Sequence, residues 1–101
     1  MITTPAIIRA KSGQTSPVTA TLLEVAAHLD ADEPETKSFR VLLDLDDDRV
    51  FTTYERFASL EARDRHNNSS MMIGFFNVAD QIIEHPMILH SCEDISERAS
   101  A

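Results

Sequence analysis

Glu55 and His66, near the middle of the chain, are the two side chains whose chemistry points to proton transfer. Histidine relays protons near neutral pH because its unperturbed pKa lies close to that range. A glutamate facing an apolar interior can serve as a base, since burial raises the pKa of a carboxyl group. Both side chains also have structural alternatives. His66 can end a helix, where a cation meets the last carbonyls, and Glu55 can be held by a lysine or arginine of the first strand or of a second subunit.

The acidic stretch before Glu55 has part of the spacing of a calcium-binding loop. The residues at the first, third, fifth and twelfth positions of that pattern are Asp44, Asp46, Asp48 and Glu55. The loop requires glycine at its sixth position, where this chain has Arg49, and it lies between helices, whereas both flanks here are predicted strands. Metal-ligand spacing is also missing from the other histidines, which are His28, His85 and His90. We therefore predict no metal site.

The composition is that of a soluble globular protein, with 43% hydrophobic and 26% charged residues among 101. A net charge of -8 repels phosphate backbones and argues against nucleic-acid binding. No apolar run is long enough for a bilayer and the N-terminus lacks a signal-peptide pattern, so we expect no membrane contact and a cytoplasmic location. The single Cys92 excludes an intrachain disulfide. We expect one domain over residues 1–101, with a core at about 5–92 and a polar tail at 93–101.

The residues around Glu55 predict a strand followed by a broken helix. Residues 50–57 are rich in β-branched and aromatic side chains, which fit a pleated, half-buried surface. Ser59 stands at an N-cap position, which predicts a short helix over residues 60–66. The polar residues 67–70 interrupt it, and the strongly apolar residues 71–83 predict a second helix.

The remaining elements complete a recognisable order. The other predicted strands are residues 6–10, 37–45 and 87–90. Residues 1–4 are expected to fray, while Ser16 followed by Pro17 predicts the start of an amphipathic helix that ends near Leu29. The order β-α-β-β-α-β, with the second helix split, predicts an α+β fold of the ferredoxin-like kind.

This element order and two short motifs resemble the antibiotic biosynthesis monooxygenase family. One motif is YERF at residues 54–57, at the end of a strand, and the other is EPET at residues 33–36, leading into an extended run. The resemblance covers roughly residues 5–92 and implies a dimeric α/β barrel. The apolar side chains on the sheet face that no helix covers independently predict a homodimer formed sheet to sheet; they are Ile7, Leu42, Val50, Tyr54 and Ile88.

The resemblance also implies a substrate pocket between sheet and helices. By alternation, Thr53, Glu55 and Phe57 share one face of their strand. The resemblance makes this face the pocket wall, because Phe57 falls where many relatives carry tryptophan. Met72, Phe75 and Phe76 on the long helix would then cover the pocket. His66 matches the first histidine of the family's helical segment and Ser69 its serine, while Met71 occupies the position of the second histidine. The same aromatic and methionine side chains are equally compatible with ordinary core packing.

The reaction that the resemblance implies is cofactor-independent oxygenation of an electron-rich aromatic, of the anthrone or quinol kind. His66 or Glu55 would take a proton, and the resulting anion would give an electron to molecular oxygen in a dry pocket. Two alternatives stay open on the same fold: a dimeric small-molecule binding or accessory protein, and an isomerase or cyclase. Haem degradation is disfavoured because the chain has no tryptophan.

Overall fold

The computed structural model describes residues 1–32 and 36–96, apart from the side chains of residues 30–32 and 37. Its elements in these ranges are β1 (Ile2–Arg9), α1 (Thr15–Asp32), β2 (Thr36–Leu43), β3 (Val50–Phe57), α2 (Leu60–Asn67), α3 (Ser70–Ile82), β4 (Ile88–Leu89) and β5 (Cys92–Glu93). The strands form one antiparallel sheet in the order β2-β3-β1-β4, and β5 also pairs with β1. The predicted ferredoxin-like α+β fold is confirmed. The first three residues of the EPET motif and residues 97–101 of the predicted tail lie outside the described ranges.

The helices α1 and α3 cover one face of the sheet because each carries an apolar stripe at helical spacing. The buried members of the two stripes are Val18, Leu22, Val25, Leu29, Met72, Phe75 and Ala79. They pack on inward-facing side chains of the sheet, among them Ile8 and Phe51. The amphipathic pattern therefore correctly predicted which sides of these helices are buried.

The first strand is longer than the sequence predicted. The expected fraying of residues 1–4 is wrong, because Ile2 is already paired with Phe57 on β3 and with Glu93 on β5. A strand that is hydrogen-bonded on both sides loses the freedom of an exposed terminus. Thr3 and Thr4 consequently lie in the ladder and are buried.

The first helix also differs at its ends. Ser16 is not its N-cap: the helix already includes Thr15, and the N–H of Val18 donates to the carbonyl of Gln14 at 3.1 Å. At the other end it continues past residue 29 to Asp32. Proline is tolerated in the first helical turn, where its missing N–H has no intrahelical partner, so Pro17 is compatible with the earlier start.

The second strand ends sooner than predicted. The predicted strand extended to Leu45, but this residue lies outside β2 and is 99% exposed. The Asp44 carboxylate accepts hydrogen bonds from the N–H groups of Asp46 at 3.0 Å and Asp47 at 2.9 Å, which starts the turn directly after Leu43. Asp44 thus has a local structural role in the β2–β3 hairpin.

Ion pairs hold the hairpin end of the sheet together. Arg9 lies 3.1 Å from Asp47, and Arg49 lies 2.7 Å from Glu84. The backbone N–H of Arg49 donates to Asp47 and, with the nearby Arg9 guanidinium, lowers the pKa of that carboxyl. Arg49 also donates from Nε to the carbonyl of Ala10 at 2.9 Å. These contacts link the β2–β3 turn to the end of β1 and to Glu84, just after α3. They lie at the end of the sheet opposite Glu55.

The edge strand beside β1 comes in two pieces. The register in which β4 pairs with β1 continues without a shift into β5, where Thr3 is opposite Cys92. Between them lies Pro5, which has no N–H to donate, although its carbonyl still accepts from His90 at 3.4 Å. The predicted fourth strand is thus shorter than expected, and Glu93, expected in the loose tail, is part of the sheet.

The sheet face away from the helices is apolar and open. Its large hydrophobic side chains are Ile7 (45% exposed), Leu42 (51%), Tyr54 (40%) and Ile88 (49%). They were predicted to share a face, and the strand register places them on neighbouring strands. No helix in the described ranges is long and apolar enough to cross a membrane.

Candidate functional site

Glu55 faces the helices because β3 alternates regularly. Phe51, Thr53, Glu55 and Phe57 are all buried, whereas the residues between them are partly or fully exposed. The Glu55 residue is only 8% exposed, although a carboxylate gives up strong hydration when it is buried. A charge in such a place needs a close polar neighbour.

That neighbour is His66, which reaches the carboxylate from α2. The Nε2 atom of His66 lies 3.5 Å from Oε2 of Glu55, and the histidine side chain is 0% exposed. The imidazole also packs on Phe57, with ring centroids 5.2 Å apart. The distance allows an ion pair when the imidazole carries a proton, so the two groups form a buried acid–base pair.

Two serines fix the ends of α2, the helix that carries His66, and one of them contacts His66 itself. The predicted N-cap is confirmed: Ser59 Oγ accepts from the N–H of Ala62 at 3.1 Å and begins α2. At the other end, Ser69 Oγ donates to the carbonyl of His66 at 2.7 Å and accepts from the N–H of Met72 at 3.3 Å. Ser69 therefore ties the last turn of α2 to the first turn of α3.

Within the chain, the structure places His66 beside Glu55, whereas a basic side chain of the first strand was one of the alternatives left open by the sequence. Arg9, on β1, lies at the far end of the sheet beside Asp47. Since the pair with His66 joins a strand to a helix, it could not be inferred from strand alternation alone.

A polar row crosses the sheet at the level of Glu55. In the strand register Glu55 is opposite Phe39 on β2 and Thr4 on β1. On the other side of Thr4 lies Ser91, between β4 and β5, with 3.4 Å between the two hydroxyl oxygens. Nearer the hairpin the inward residues become apolar, as Phe51 and Ile8 are opposite each other.

A pocket lies over this row, between the sheet, α1 and α3. Its polar lining residues are Thr4, Thr53, Glu55, Asn67 and Ser91. The empty space is about 550 Å³ when the open mouth is included, and the centres of water-sized molecules can occupy about 50 Å³ of it. A bicyclic ring therefore fits only across the mouth or after exposed side chains such as Phe76, which is 42% exposed, turn aside.

The predicted site residues divide into two groups. Thr53, Glu55, Met72, Phe75 and Phe76 line the pocket. Phe57 and His66 do not: both are fully buried behind Glu55. The structure thus brings His66 to the carboxylate and keeps it away from the pocket space.

Sequence reasoning missed three polar lining residues, Thr4, Asn67 and Ser91. Thr4 was assigned to a frayed terminus, and Ser91 fell after the predicted last strand. Extending the alternation of β1 back from Ala6 would have placed Thr4 on the inner face. Nothing in the local pattern around Ser91 indicates its neighbour, because the two hydroxyls are 87 positions apart in the chain.

Among the described residues, no group of three or more His, Cys, Asp or Glu side chains is arranged to hold a metal ion. Cys92 is exposed and unbridged. The polar groups that line the pocket are the Glu55 carboxylate, which has His66 behind it, and the hydroxyl and amide groups of the other polar lining residues.

Solved structures with the same fold cover nearly the whole chain. A Pseudomonas aeruginosa protein matches with a TM-score of 0.84 at 19% identity, over 92% of each chain. A Shewanella oneidensis protein matches with a TM-score of 0.86 at 20% identity, over 92% of this chain and 89% of its own. A structure named antibiotic biosynthesis monooxygenase matches with a TM-score of 0.85 at 15% identity, over 93% and 98%. At these identities the likeness shows the fold.

A search of the curated proteins finds no match. The sequence model of the family described as Antibiotic biosynthesis monooxygenase matches residues 1–77, which include β1 to β3, α2 and the first part of α3. The matched part contains Glu55, His66 and most of the pocket lining. The chain belongs to the antibiotic biosynthesis monooxygenase family.

Proposed function

We propose that this protein is a monooxygenase that oxidises an electron-rich aromatic small molecule, of the anthrone or quinol kind, without a bound cofactor. Family membership indicates a monooxygenase-like or small-molecule binding role. The observation that carries the more specific proposal is the Glu55 carboxylate, which lines an otherwise largely apolar pocket and has His66 directly behind it.

In the proposed reaction Glu55 removes a proton from the substrate and becomes a carboxylic acid. His66 lies 3.5 Å from the carboxylate and supports it before the transfer. The substrate anion gives one electron to molecular oxygen, and the resulting substrate radical and superoxide combine to a peroxide anion. This anion takes the proton back from Glu55 to give a hydroperoxide, which restores the carboxylate. Loss of water from the hydroperoxide leaves a carbonyl group, so one oxygen atom enters the product and the other leaves as water.

The walls of the pocket favour this sequence of steps. Phe75 and Phe76 lie edge to face, 5.6 Å between ring centroids, and Met72 lies on the same helix, so this side offers polarisable surface to an aromatic ring. The centres of water-sized molecules can occupy only about 50 Å³ of the pocket, and a ring that fills this space keeps water from the radical pair.

The direct test is oxygen consumption with a panel of anthrones and hydroquinones, comparing wild type with Glu55→Gln. Glutamine has nearly the same shape but takes up no proton, so we expect turnover to fall about a hundredfold or more. Raising the pH should restore part of the rate in the variant, because the substrate then ionises in solution. Glu61→Gln, on the exposed first turn of α2, is the matched control and should behave as wild type.

Wild-type uptake no faster than spontaneous oxidation would overturn the oxygenase proposal. An isomerase or cyclase is the second candidate, because the Glu55–His66 pair can move a proton within a substrate without oxygen. Saturable binding of a panel compound with no oxygen uptake would favour that candidate or a small-molecule binding protein.

We also propose that the working form is a homodimer joined through the open sheet face. Members of this family are typically dimers. The four half-exposed side chains Ile7, Leu42, Tyr54 and Ile88 support this assembly, since they leave much apolar surface of one sheet face in water.

A further inference from the structure

We propose that Thr4 and Ser91 form a subsite for a second oxygen on the substrate, next to the oxygen that faces Glu55. The favoured ligand is then an aromatic ring with two oxygens on neighbouring positions of one edge. This inference rests on the proposed function, because it takes the pocket beside Glu55 as the place where the aromatic ring binds.

The strand register places the subsite beside the base. Thr4 is directly opposite Glu55 in the ladder between β1 and β3, and both side chains face the pocket. Side chains paired in this way have Cβ atoms about 5 Å apart. The Ser91 hydroxyl adjoins that of Thr4 on the side away from Glu55. The Glu55 carboxylate and the hydroxyls of Thr4 and Ser91 therefore follow one another across neighbouring strands of the sheet.

The two hydroxyls have hydrogen-bonding capacity left for a ligand. Each hydroxyl can donate once and accept twice, and the contact between them uses one donor at most. Its length of 3.4 Å is well above the usual distance for hydroxyl pairs, so exchanging it for a bond to a ligand loses little. Thr4 is 5% exposed while Ser91 is exposed at the rim, so the pair extends from the buried wall to the mouth.

The rest of the pocket determines which end of a ligand points to this row. Towards the hairpin the lining is apolar, with Ile8 on the sheet, Leu22 on α1 and Met87 before β4. A ring with oxygens on one edge matches this division, with its hydrocarbon edge on the apolar side. A ring with a single oxygen leaves the Thr4 and Ser91 hydroxyls facing a C–H group, and a site built to hydrogen-bond an oxygen rejects such a ligand.

The test is a binding titration under nitrogen with two matched probes, 2,3-dihydroxynaphthalene and 2-naphthol, followed by their fluorescence. We expect wild type to bind the diol more tightly. Thr4→Val keeps the shape of the side chain and suits a strand, and Ser91→Ala removes only the hydroxyl. Each should weaken diol binding about fivefold, the worth of one net hydrogen bond, and leave 2-naphthol binding unchanged.

Two further variants make the result specific. Thr4→Ser keeps the hydroxyl and should keep the preference for the diol. Thr52→Val makes the same chemical change on the outer face of β3, away from the pocket, and should leave both affinities at the wild-type values. Melting temperatures of all variants show whether a lost preference reflects a lost fold.

Equal weakening for both probes, no wild-type preference, or no binding of either probe overturns the subsite. The binding arm needs no oxygen, so it separates this inference from the proposed reaction. A preference for the diol without oxygen uptake leaves the subsite standing and overturns the oxidation. If wild type consumes oxygen but Thr4→Val and Ser91→Ala keep the preference for the diol, the proposed oxidation stands and the subsite is overturned.

Discussion

At the level of single residues, the main finding is that Glu55 lies between the pocket and His66. The sequence made both candidates for direct proton transfer. In the structure Glu55 lines the pocket, whereas His66 is fully buried and meets the carboxylate 3.5 Å away. In the proposed reaction we therefore assign His66 the role of a positioning residue, which holds the carboxylate in place.

This assignment predicts a selective effect of His66→Gln. Glutamine can still donate an N–H to Glu55 but cannot take up a proton, so we expect kcat to fall about tenfold while KM stays close to wild type. The pH–rate profile should lose one ionisation, which a purely structural role would not change. The measurement is steady-state oxygen uptake across a pH series.

His66→Ala is the companion variant, because it removes the side chain and leaves a cavity against Phe57. A wild-type pH profile and rate in His66→Gln would remove His66 from the proposed mechanism. A loss seen only in His66→Ala would assign it to packing.

The sequence predicted part of this arrangement. Alternation along β3 placed Thr53 and Glu55 on the same face, and the family resemblance at Phe57 identified that face as the inner one. The meeting of Glu55 with His66 depends on how α2 packs on β3, which no local pattern records. Thr4 and Ser91 escaped notice for a related reason, as their contact joins distant parts of the chain.

At the level of elements, the joint between α2 and α3 controls the position of His66. Ser59 was recognisable as a helix start because capping is a local interaction. The second role of Ser69, as donor to the carbonyl of His66, is visible only in the structure. Ser69 thus connects the N-terminus of α3 to His66, a member of the buried acid–base pair.

We expect Ser69→Ala to cost about 1–2 kcal/mol of unfolding free energy, because it removes one cap and one further hydrogen bond. Ser59→Ala removes a cap alone and should cost about 1 kcal/mol. Denaturant titration measures both. Turnover should fall in Ser69→Ala only, since its hydroxyl contacts the residue that supports Glu55. Equal turnover in the two variants would show that the Ser69 contact with His66 does not affect the reaction.

The ends of elements were the least predictable part of the fold. β1 began earlier than expected because Ile2 is paired on both sides, and β2 ended earlier because Asp44 captures two turn N–H groups. Both outcomes depend on partners that lie outside the element itself. The apolar period of α1, in contrast, is a property of the helix alone and was read correctly.

At the level of the whole molecule, the two faces of the sheet have different partners. The inner face is covered by α1 and α3, and the outer face leaves Leu42 about half exposed on β2. The proposed dimer would cover that outer face, with each copy contributing the same patch.

Sedimentation velocity at micromolar concentration tests this assembly. We expect wild type to sediment as two copies and Leu42→Asp as one, with dimerisation weakened at least about a hundredfold, because a symmetric interface would bury the changed residue twice. Leu23→Asp is the matched control: this leucine is equally exposed, at 55%, but lies on α1 and not on the sheet. A wild-type monomer would contradict the proposed assembly, as would the same dissociation in both variants.

The contact between Thr4 and Ser91 also indicates at which stage of folding the pocket is completed. It closes a loop of 87 positions, and the entropy cost of closing a loop rises with its length. Closing the short β2–β3 hairpin has a much smaller entropy cost. We therefore expect the edge strands β4 and β5, which are interrupted beside Pro5, to join the sheet last. A nascent chain synthesised only as far as α3 already contains Glu55 and His66 but lacks the rim that Ser91 completes. We therefore expect the proposed ligand to bind only after the last described strand is in place.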